Sequence, residues 1–239
     1  MIDISQVIDV NRNLLLDNPE YWEKIKKDPH IRRIIAEGPH LHQIYGAAIK
    51  EIHTKLEILD EEFTIKHNHN PIHHFEYRLK SHRSIIEKLV RRNLEFSLDS
   101  LRKNITDIAG VRVICNYISD TQLIKEFLLK HNDIRLLQEK DYITNPKPNG
   151  YRSLHLIVET PVFLSDHIEM VPVEIQIRTI GMDFWASLEH QLKYKSSNNK
   201  VNEDVSEDIR KQLEDCAELV YELDLNMQSI FDNLKDREN

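Results

Sequence analysis

Between Asp107 and Arg178 the chain sets three short polar motifs into apolar runs: Asp107-Ile-Ala-Gly-Val-Arg112, Asn149-Gly-Tyr-Arg-Ser-Leu-His155 and Val173-Glu-Ile-Gln-Ile-Arg-Thr179. The last is the tightest constraint on the fold. On a strand, successive side chains point to opposite faces. Glu174, Gln176 and Arg178 therefore share one face, and Val173, Ile175 and Ile177 the other. The apolar face is core; the polar face is either half-solvated or the floor of a site. Only five glycines occur in the chain, and two of them, Gly110 and Gly150, lie in these motifs. A carboxylate, a basic residue and a glycine recur where strands begin or bend. That mix suits a polyphosphate and a divalent metal better than a plain core.

Runs rich in β-branched and aromatic residues predict strands near 73–79, 108–118, 134–142, 151–160 and 170–179. They mix with helices without strict βαβ alternation, which predicts an α+β domain with a mixed, mostly antiparallel sheet flanked by helices. Three regions follow: 1–70 helical, 71–195 the sheet-bearing core, and 201–239 a long amphipathic helix whose apolar side, including Leu213 and Val220, is expected to meet another subunit, with the apolar stripe of helix 40–66 as a candidate second surface. In the first, Asn18-Pro19 and Asp28-Pro29 read as helix starts, and Gly38-Pro39 as a helix end. Leu41, Ile44, Tyr45, Ala48, Ile52, Leu56, Leu59 and Phe63 then form one stripe on a helix of about six turns. Ser81 can cap a helix to about Glu95, with Ile85, Ile86, Leu89 and Val90 inward. Another helix is expected from about Asp120 to His131. After Thr179 the pattern is helical to about Lys195, and Ser196 to Asn199 reads as a polar linker.

Charge narrows the functional classes. The net charge is −8. Residues 201–239 hold twelve acidic and four basic side chains, so they carry that whole excess; residues 71–103 hold eight basic and four acidic ones. An acidic balance argues against generic nucleic-acid binding, where phosphate neutralisation dominates affinity, but leaves room for a small basic nucleotide pocket. No apolar run reaches the ~18–20 residues that span a bilayer. No leader is expected at Met1-Ile-Asp-Ile. Cys115 and Cys216 read as two reduced core thiols, and the expectation is a cytoplasmic protein.

Several side chains are candidates for chemistry. Asp107 opens an apolar strand as a cap or a metal ligand, and Glu174 on a neighbouring strand would complete a Mg²⁺ site of one or two carboxylates, waters and phosphate oxygens. Asn145-Pro-Lys-Pro-Asn-Gly150 is a turn in which the prolines fix φ and Asn-Gly accepts positive φ. It exposes Lys147 and delivers Tyr151, which either stacks on a base or lies on the surface. Arg83, Lys88, Arg91 and Arg92 line one face of the helix after Ser81, as a solvated face or a triphosphate clamp. His67, His69, His73 and His74 read as a metal cluster or as a solvated helix end.

Four motifs in order, Arg78-Leu-Lys80-Ser-His-Arg-Ser84-Ile-Ile-Glu-Lys88, Asp107 to Arg112, Asn149 to His155 and Glu174 to Thr179, resemble the synthetase domain of the RelA/SpoT homologues over about residues 73–195. The chain has no consecutive His-Asp pair, so the expectation is a stand-alone small alarmone synthetase without the hydrolase domain. The resemblance implies a nucleotidyltransferase-like core that moves the β,γ-pyrophosphate of ATP to the 3′-hydroxyl of GDP or GTP. The products would be AMP and the stringent-response alarmones ppGpp or pppGpp. By motif, Asp107 and Glu174 would hold Mg²⁺, with Glu174 also taking the 3′-hydroxyl proton. Arg78 and Arg112 would flank adenine, and Lys80, Ser84, Lys88 and Arg91 would hold ATP phosphates. Tyr151 would stack on guanine, with Lys147, Asn149, His155 and Gln176 lining the acceptor side. Tyr77 stands where many members have glycine. The family also implies a homo-oligomer, most often a tetramer. Rival readings are an RNA nucleotidyltransferase and a catalytically silent nucleotide-sensing or RNA-binding protein.

Overall fold

Asp28-Pro29 starts a helix as expected. In the computed structural model, which describes residues 22–23, 25–66, 68–198 and 207–238, the Asp28 carboxylate accepts from the backbone N–H groups of His30 and Ile31 at the head of α1 (Pro29–Ala36). Asn18-Pro19, His67 and residues 199–206 lie outside the described residues. α1 ends at the Glu37 cap just before Gly38-Pro39, as expected, but the same dipeptide also opens α2 (Gly38–Lys66). Pro39 sits in the first turn, where a missing N–H costs nothing. The helix is 29 residues long, longer than the stripe alone suggested. All eight stripe residues are buried. They pack on the sheet of their own domain, and each large one contributes roughly 1.5–3 kcal/mol by leaving water.

All five expected strands form: β1 (Ile72–Leu79), β2 (Ala109–Cys115), β3 (Arg135–Asp141), β4 (Leu154–Phe163) and β5 (Ile168–Thr179). Their order is β1-β2-β5-β4-β3. β2 and β5 are parallel, and the other three pairings are antiparallel. Between them run α3 (His82–Arg91), α4 (Leu98–Asn104) and α5 (Ile118–Leu129). Ser81 caps α3 by accepting from the Ser84 N–H at 3.3 Å. The helix stops at Arg92, and Asn93 takes a positive φ of 53°. The second strand ends before the expected Ile118, because the Asp120 carboxylate accepts from the Tyr117 N–H at 3.0 Å and caps α5. α4 was not foreseen: Ser97 caps only two turns there.

After β5 come α6 (Ile180–Asn198) and α7 (Glu207–Glu238). α6 continues through Ser196–Asn198, three residues into the expected linker. α7 folds back on its own chain. Leu213, Ala217 and Val220 pack with Trp185, Ala186 and Tyr151, and the Trp185 indole N–H donates to the Leu213 carbonyl at 2.9 Å. Further along, Thr179 Oγ1 donates to Asp224 at 2.6 Å, and Phe231 stacks on Tyr117 at 4.2 Å. Cys115 is buried as expected, whereas Cys216 is exposed on α7, so only one of the two thiols belongs to the core.

Candidate active site

Register assembles the polar face. One row across the sheet reads Glu76, Arg112, Gln176, His155 and Lys140, each the direct partner of the next. The adjoining row reads Arg78, Gly110, Glu174, Ile157 and Gln138. Motifs far apart in sequence thus meet side by side. Gly110 leaves a notch between Arg78 and Glu174. A Cβ there would meet only the Arg78 carbonyl, at 3.6 Å, so the backbone does not demand glycine; a ligand in the notch would.

A cleft of about 300 Å³ opens at this point, lined among others by Arg78, Lys80, Asp107, Arg112, Glu174 and Gln176. Asp107 Oδ2 receives Lys88 Nζ at 2.6 Å and Lys80 Nζ at 3.1 Å. Burial pushes the Asp107 carboxyl up, but the two ammonium groups outweigh it and hold the carboxyl below its ordinary range. Lys88 responds the other way: burial wins over the attraction of Asp107 and lowers its pKa. Asp107 Oδ1 is buried with no hydrogen-bond partner, as is Arg112 Nε. A divalent cation would satisfy the first and a ligand acceptor the second. Arg112 otherwise meets Glu76 at 2.7 Å and Asp183 at 3.3 Å.

The other end of the face is aromatic. Gly150 takes φ +82°, as an Asn-Gly turn requires, and its N–H donates to the Lys147 carbonyl at 2.8 Å. A Cβ on Gly150 would fall 2.4 Å from the Ala217 Cβ, so α7 lies directly on this turn. Tyr151 follows. Arg178 donates to its hydroxyl at 2.6 Å, and the hydroxyl meets His155 Nε2 at 2.8 Å. With the Tyr151 O–H donating to Nε2, the Nδ1–H of His155 points to Glu174 Oε1, 3.7 Å away. Gln176 donates to the other Glu174 oxygen at 2.9 Å. Burial raises the Glu174 pKa, yet His155 and Gln176 outweigh burial and the like charge of Asp107, so the carboxyl stays below its ordinary range. It is ionised at neutral pH. Lys147 Nζ lies 4.5 Å from the Tyr151 ring and 4.6 Å from Tyr142.

Eleven of the thirteen forecast residues fall on this face, its rim or its turn. Asn149 is one of these, though it serves the turn: Oδ1 accepts from the Tyr151 N–H and Nδ2 donates to Glu189. Ser84 and Arg91 do not line the cleft. The Ser84 backbone N–H donates to the Ser81 cap and its hydroxyl accepts from Ser81 Oγ, and Arg91 is exposed at the end of α3. Reasoning from motifs left out Arg178, Asp183, Glu76 and Tyr142. Arg178 was visible on the alternation of β5; Asp183 had no periodic signal. Of the histidine cluster, His69, His73 and His74 lie among the described residues, and they do not converge. His69 pairs with Asp120 at 2.9 Å and His73 meets His74 at 2.7 Å, and among the described residues no group of three or more metal-ligating side chains forms.

A family model described as the region found in RelA/SpoT proteins matches residues 77–199. The chain is also 46% identical over 187 residues to the GTP pyrophosphokinase YwaC of Bacillus subtilis, covering 78% of this chain and 87% of that one. The chain belongs to the RelA/SpoT family. Its fold is that of the family's solved small alarmone synthetases. Synthetase 2 of Bacillus subtilis superposes with a TM-score of 0.73 at 43% identity, covering 82% of this chain and 99% of that one. Synthetase 1 of the same organism, bound to its product pppGpp, gives 0.74 at 32% identity, with 82% and 97% covered. The RelA/SpoT match spans the four motifs that line the polar face from Arg78 to Thr179.

Proposed function

We propose that this chain is a GTP pyrophosphokinase that makes ppGpp or pppGpp by moving the β,γ-pyrophosphate of ATP to the ribose 3′-hydroxyl of GDP or GTP. The observation that carries the reading is one cleft holding two carboxylates, Asp107 in the turn before β2 and Glu174 on β5, with Lys80 and Lys88 on Asp107 and Gln176 on Glu174, in a chain whose relatives are named GTP pyrophosphokinases.

The chemistry is a displacement at the β-phosphorus of ATP. The ribose O3′–Pβ bond forms, the bond from Pβ to the α-phosphate oxygen breaks with its electron pair leaving on AMP, and the 3′-hydroxyl proton goes to Glu174. Glu174 is ionised at neutral pH and held by Gln176 and His155, so it can take the proton; its lowered pKa makes it a weak base, and position is what it contributes. Such transfers depend on positioning and charge neutralisation. Lys80 and Lys88 supply charge for the donor phosphates, giving up part of their hold on Asp107. Arg78 and Arg112 frame the Gly110 notch for adenine. Tyr151 offers its ring to guanine, which requires Lys147 to swing from the ring toward the acceptor phosphates.

Asp107 and Glu174 fit Mg²⁺: the free Asp107 Oδ1 and the ionised Glu174 are the hard oxygen donors it takes. When bound, the ion supplies charge neutralisation on the phosphates. The test is incubation with ATP, GTP and Mg²⁺, resolved by anion-exchange chromatography. AMP together with a guanosine pentaphosphate supports the reading, and a chelator in excess stops it; nucleotide binding without AMP release overturns it.

We also propose a homo-oligomer, a tetramer by family resemblance, in the cytoplasm. No helix among the described residues is long and apolar enough to cross a membrane. α6 and α7 expose Phe184, Leu188, Leu192, Leu219, Leu223, Ile230 and Leu234, a large apolar surface for an isolated chain. The α2 stripe is not part of the interface, since it fills its own core. Nor do Leu213 and Val220 probe it, because they pack against Trp185. Leu223→Asp with Ile230→Asp reduces the light-scattering mass to that of one chain; an unassembled wild type at micromolar concentration contradicts the interface.

A further inference from the structure

One carboxylate oxygen joins the two halves of the polar face. Asp183, in the first turn of α6, places Oδ1 3.0 Å from Arg178 NH1 and 3.3 Å from Arg112 NH1. Arg112 belongs to the cleft beside Gly110, where its Nε is buried and unpartnered. Arg178 belongs to the other half: it is buried, donates to the Tyr151 hydroxyl at 2.6 Å and to Gln176 Oε1 at 2.7 Å, and lies 5.1 Å from the Tyr151 ring. Gln176 in turn donates to Glu174.

We infer that Asp183 is a positioning residue that couples donor and acceptor binding by sharing one oxygen between Arg112 and Arg178. A single oxygen cannot hold two guanidinium groups equally well at every geometry. A donor nucleotide that engages the free Arg112 Nε draws this side chain away from Asp183. The oxygen then closes on Arg178, which steadies the Tyr151 hydroxyl and Gln176 where the acceptor binds. By linkage, the acceptor favours the donor by the same factor. Asp183 touches neither nucleotide in this scheme and acts only through the two arginines. Arg112 also has Glu76, so it is not released into solution, and Arg178 also has Ser153 Oγ at 3.4 Å.

This inference rests on the nucleotide reading of the cleft, and binding without turnover separates the two. Calorimetry with Mg²⁺ measures GDP affinity alone and at saturating α,β-methylene ATP, whose carbon bridge blocks the bond that would break. In the wild type the analogue is expected to strengthen GDP binding at least about fivefold, within the usual range for coupled sites. In Asp183→Asn, which keeps shape and removes charge, the ratio is expected to fall within about twofold of one, and Asp183→Glu to recover part of it. Asp183→Ser is the second neutral variant and carries the same expectation should the amide perturb folding. A merely structural role would lower the melting temperature and leave the ratio intact. A wild-type ratio preserved in the neutral variants, or a wild-type ratio of one, overturns the inference. A wild type that binds neither nucleotide overturns the reading of the cleft itself.

Discussion

The two ends of the polar face are built from different materials. At the β1–β2 end, charge meets charge within a short span of chain: Lys80 and Lys88 on Asp107, Arg112 on Glu76. Any anion arriving there exchanges existing ion pairs for new ones, so affinity comes from swapping partners and falls with salt. At the β4 end, aromatic rings and a turn take over, and the support comes from a distance. α7 presses Ala217 against Gly150, and Arg152 on the same loop donates to Glu218 at 2.9 Å and lies 3.8 Å over the Tyr221 ring. The contrast teaches that the proposed donor end draws its ion pairs mainly from residues 76–112, with Asp183 of α6 reaching Arg112, whereas the proposed acceptor end depends on a helix 60 to 70 residues further along the chain.

The largest expected effect strikes where the ends meet. Glu174→Gln keeps volume and removes charge and basicity. Turnover should fall on the order of 10²–10⁴-fold if Glu174 is the base, with both nucleotides still bound in calorimetry. Turnover within a few-fold of wild type would take Glu174 out of the mechanism.

Gly150→Ala sharpens the contrast. It places a Cβ at positive φ and 2.4 Å from Ala217, so about 1–3 kcal/mol of stability should be lost in denaturant titration. GDP should bind more weakly while the ATP analogue keeps its affinity. Equal losses on both sides would show that α7 supports the whole face and dissolve the distinction.

Tyr151→Ala tests the aromatic end alone. Guanine-nucleotide binding should weaken by roughly 1–3 kcal/mol if one base stacks there, with little change for ATP. An unchanged GDP affinity would make the ring a spacer for Arg178 and His155.

The charged end carries the smallest signature, in pH. The Asp107 pKa is lower folded than unfolded, so the pair adds stability above the unfolded value, and this is lost as pH falls through the lower folded one. Melting temperature should therefore decline below about pH 4, and Asp107→Asn should flatten that decline. An identical slope in the variant would assign the acid limb to other carboxylates.

Much of this was legible in the chain. Alternation at 173–178 marked β5 and its polar face, and Asn149-Gly150 foretold the positive φ. What the sequence hid was long-range. Nothing in residues 149–152 announces that Ala217 and Tyr221 will press on them, because the contact depends on where α7 returns. Gly38-Pro39 marked the end of α1 but hid the start of α2, because the same dipeptide chemistry serves both; the Leu41 N–H donating to the Glu37 carbonyl starts the second helix. Ile118 looks like strand until Asp120 caps it. The alternation of β5 places Arg178 on the polar face, but only the folded chain shows it gripping Tyr151. Ser84 matched a motif position, but on α3 its backbone N–H serves the Ser81 cap and its side chain does not line the cleft.

The central claim, transfer of β- and γ-phosphates as one unit, is tested most directly by the fate of label. Two parallel reactions with GDP and Mg²⁺ contain ATP labelled at the α- or the γ-phosphate. The account predicts that γ-label appears in a guanosine tetraphosphate bearing 3′-pyrophosphate and α-label appears only in AMP. Label from the γ-phosphate in GTP, or α-label in polymeric RNA, would contradict it.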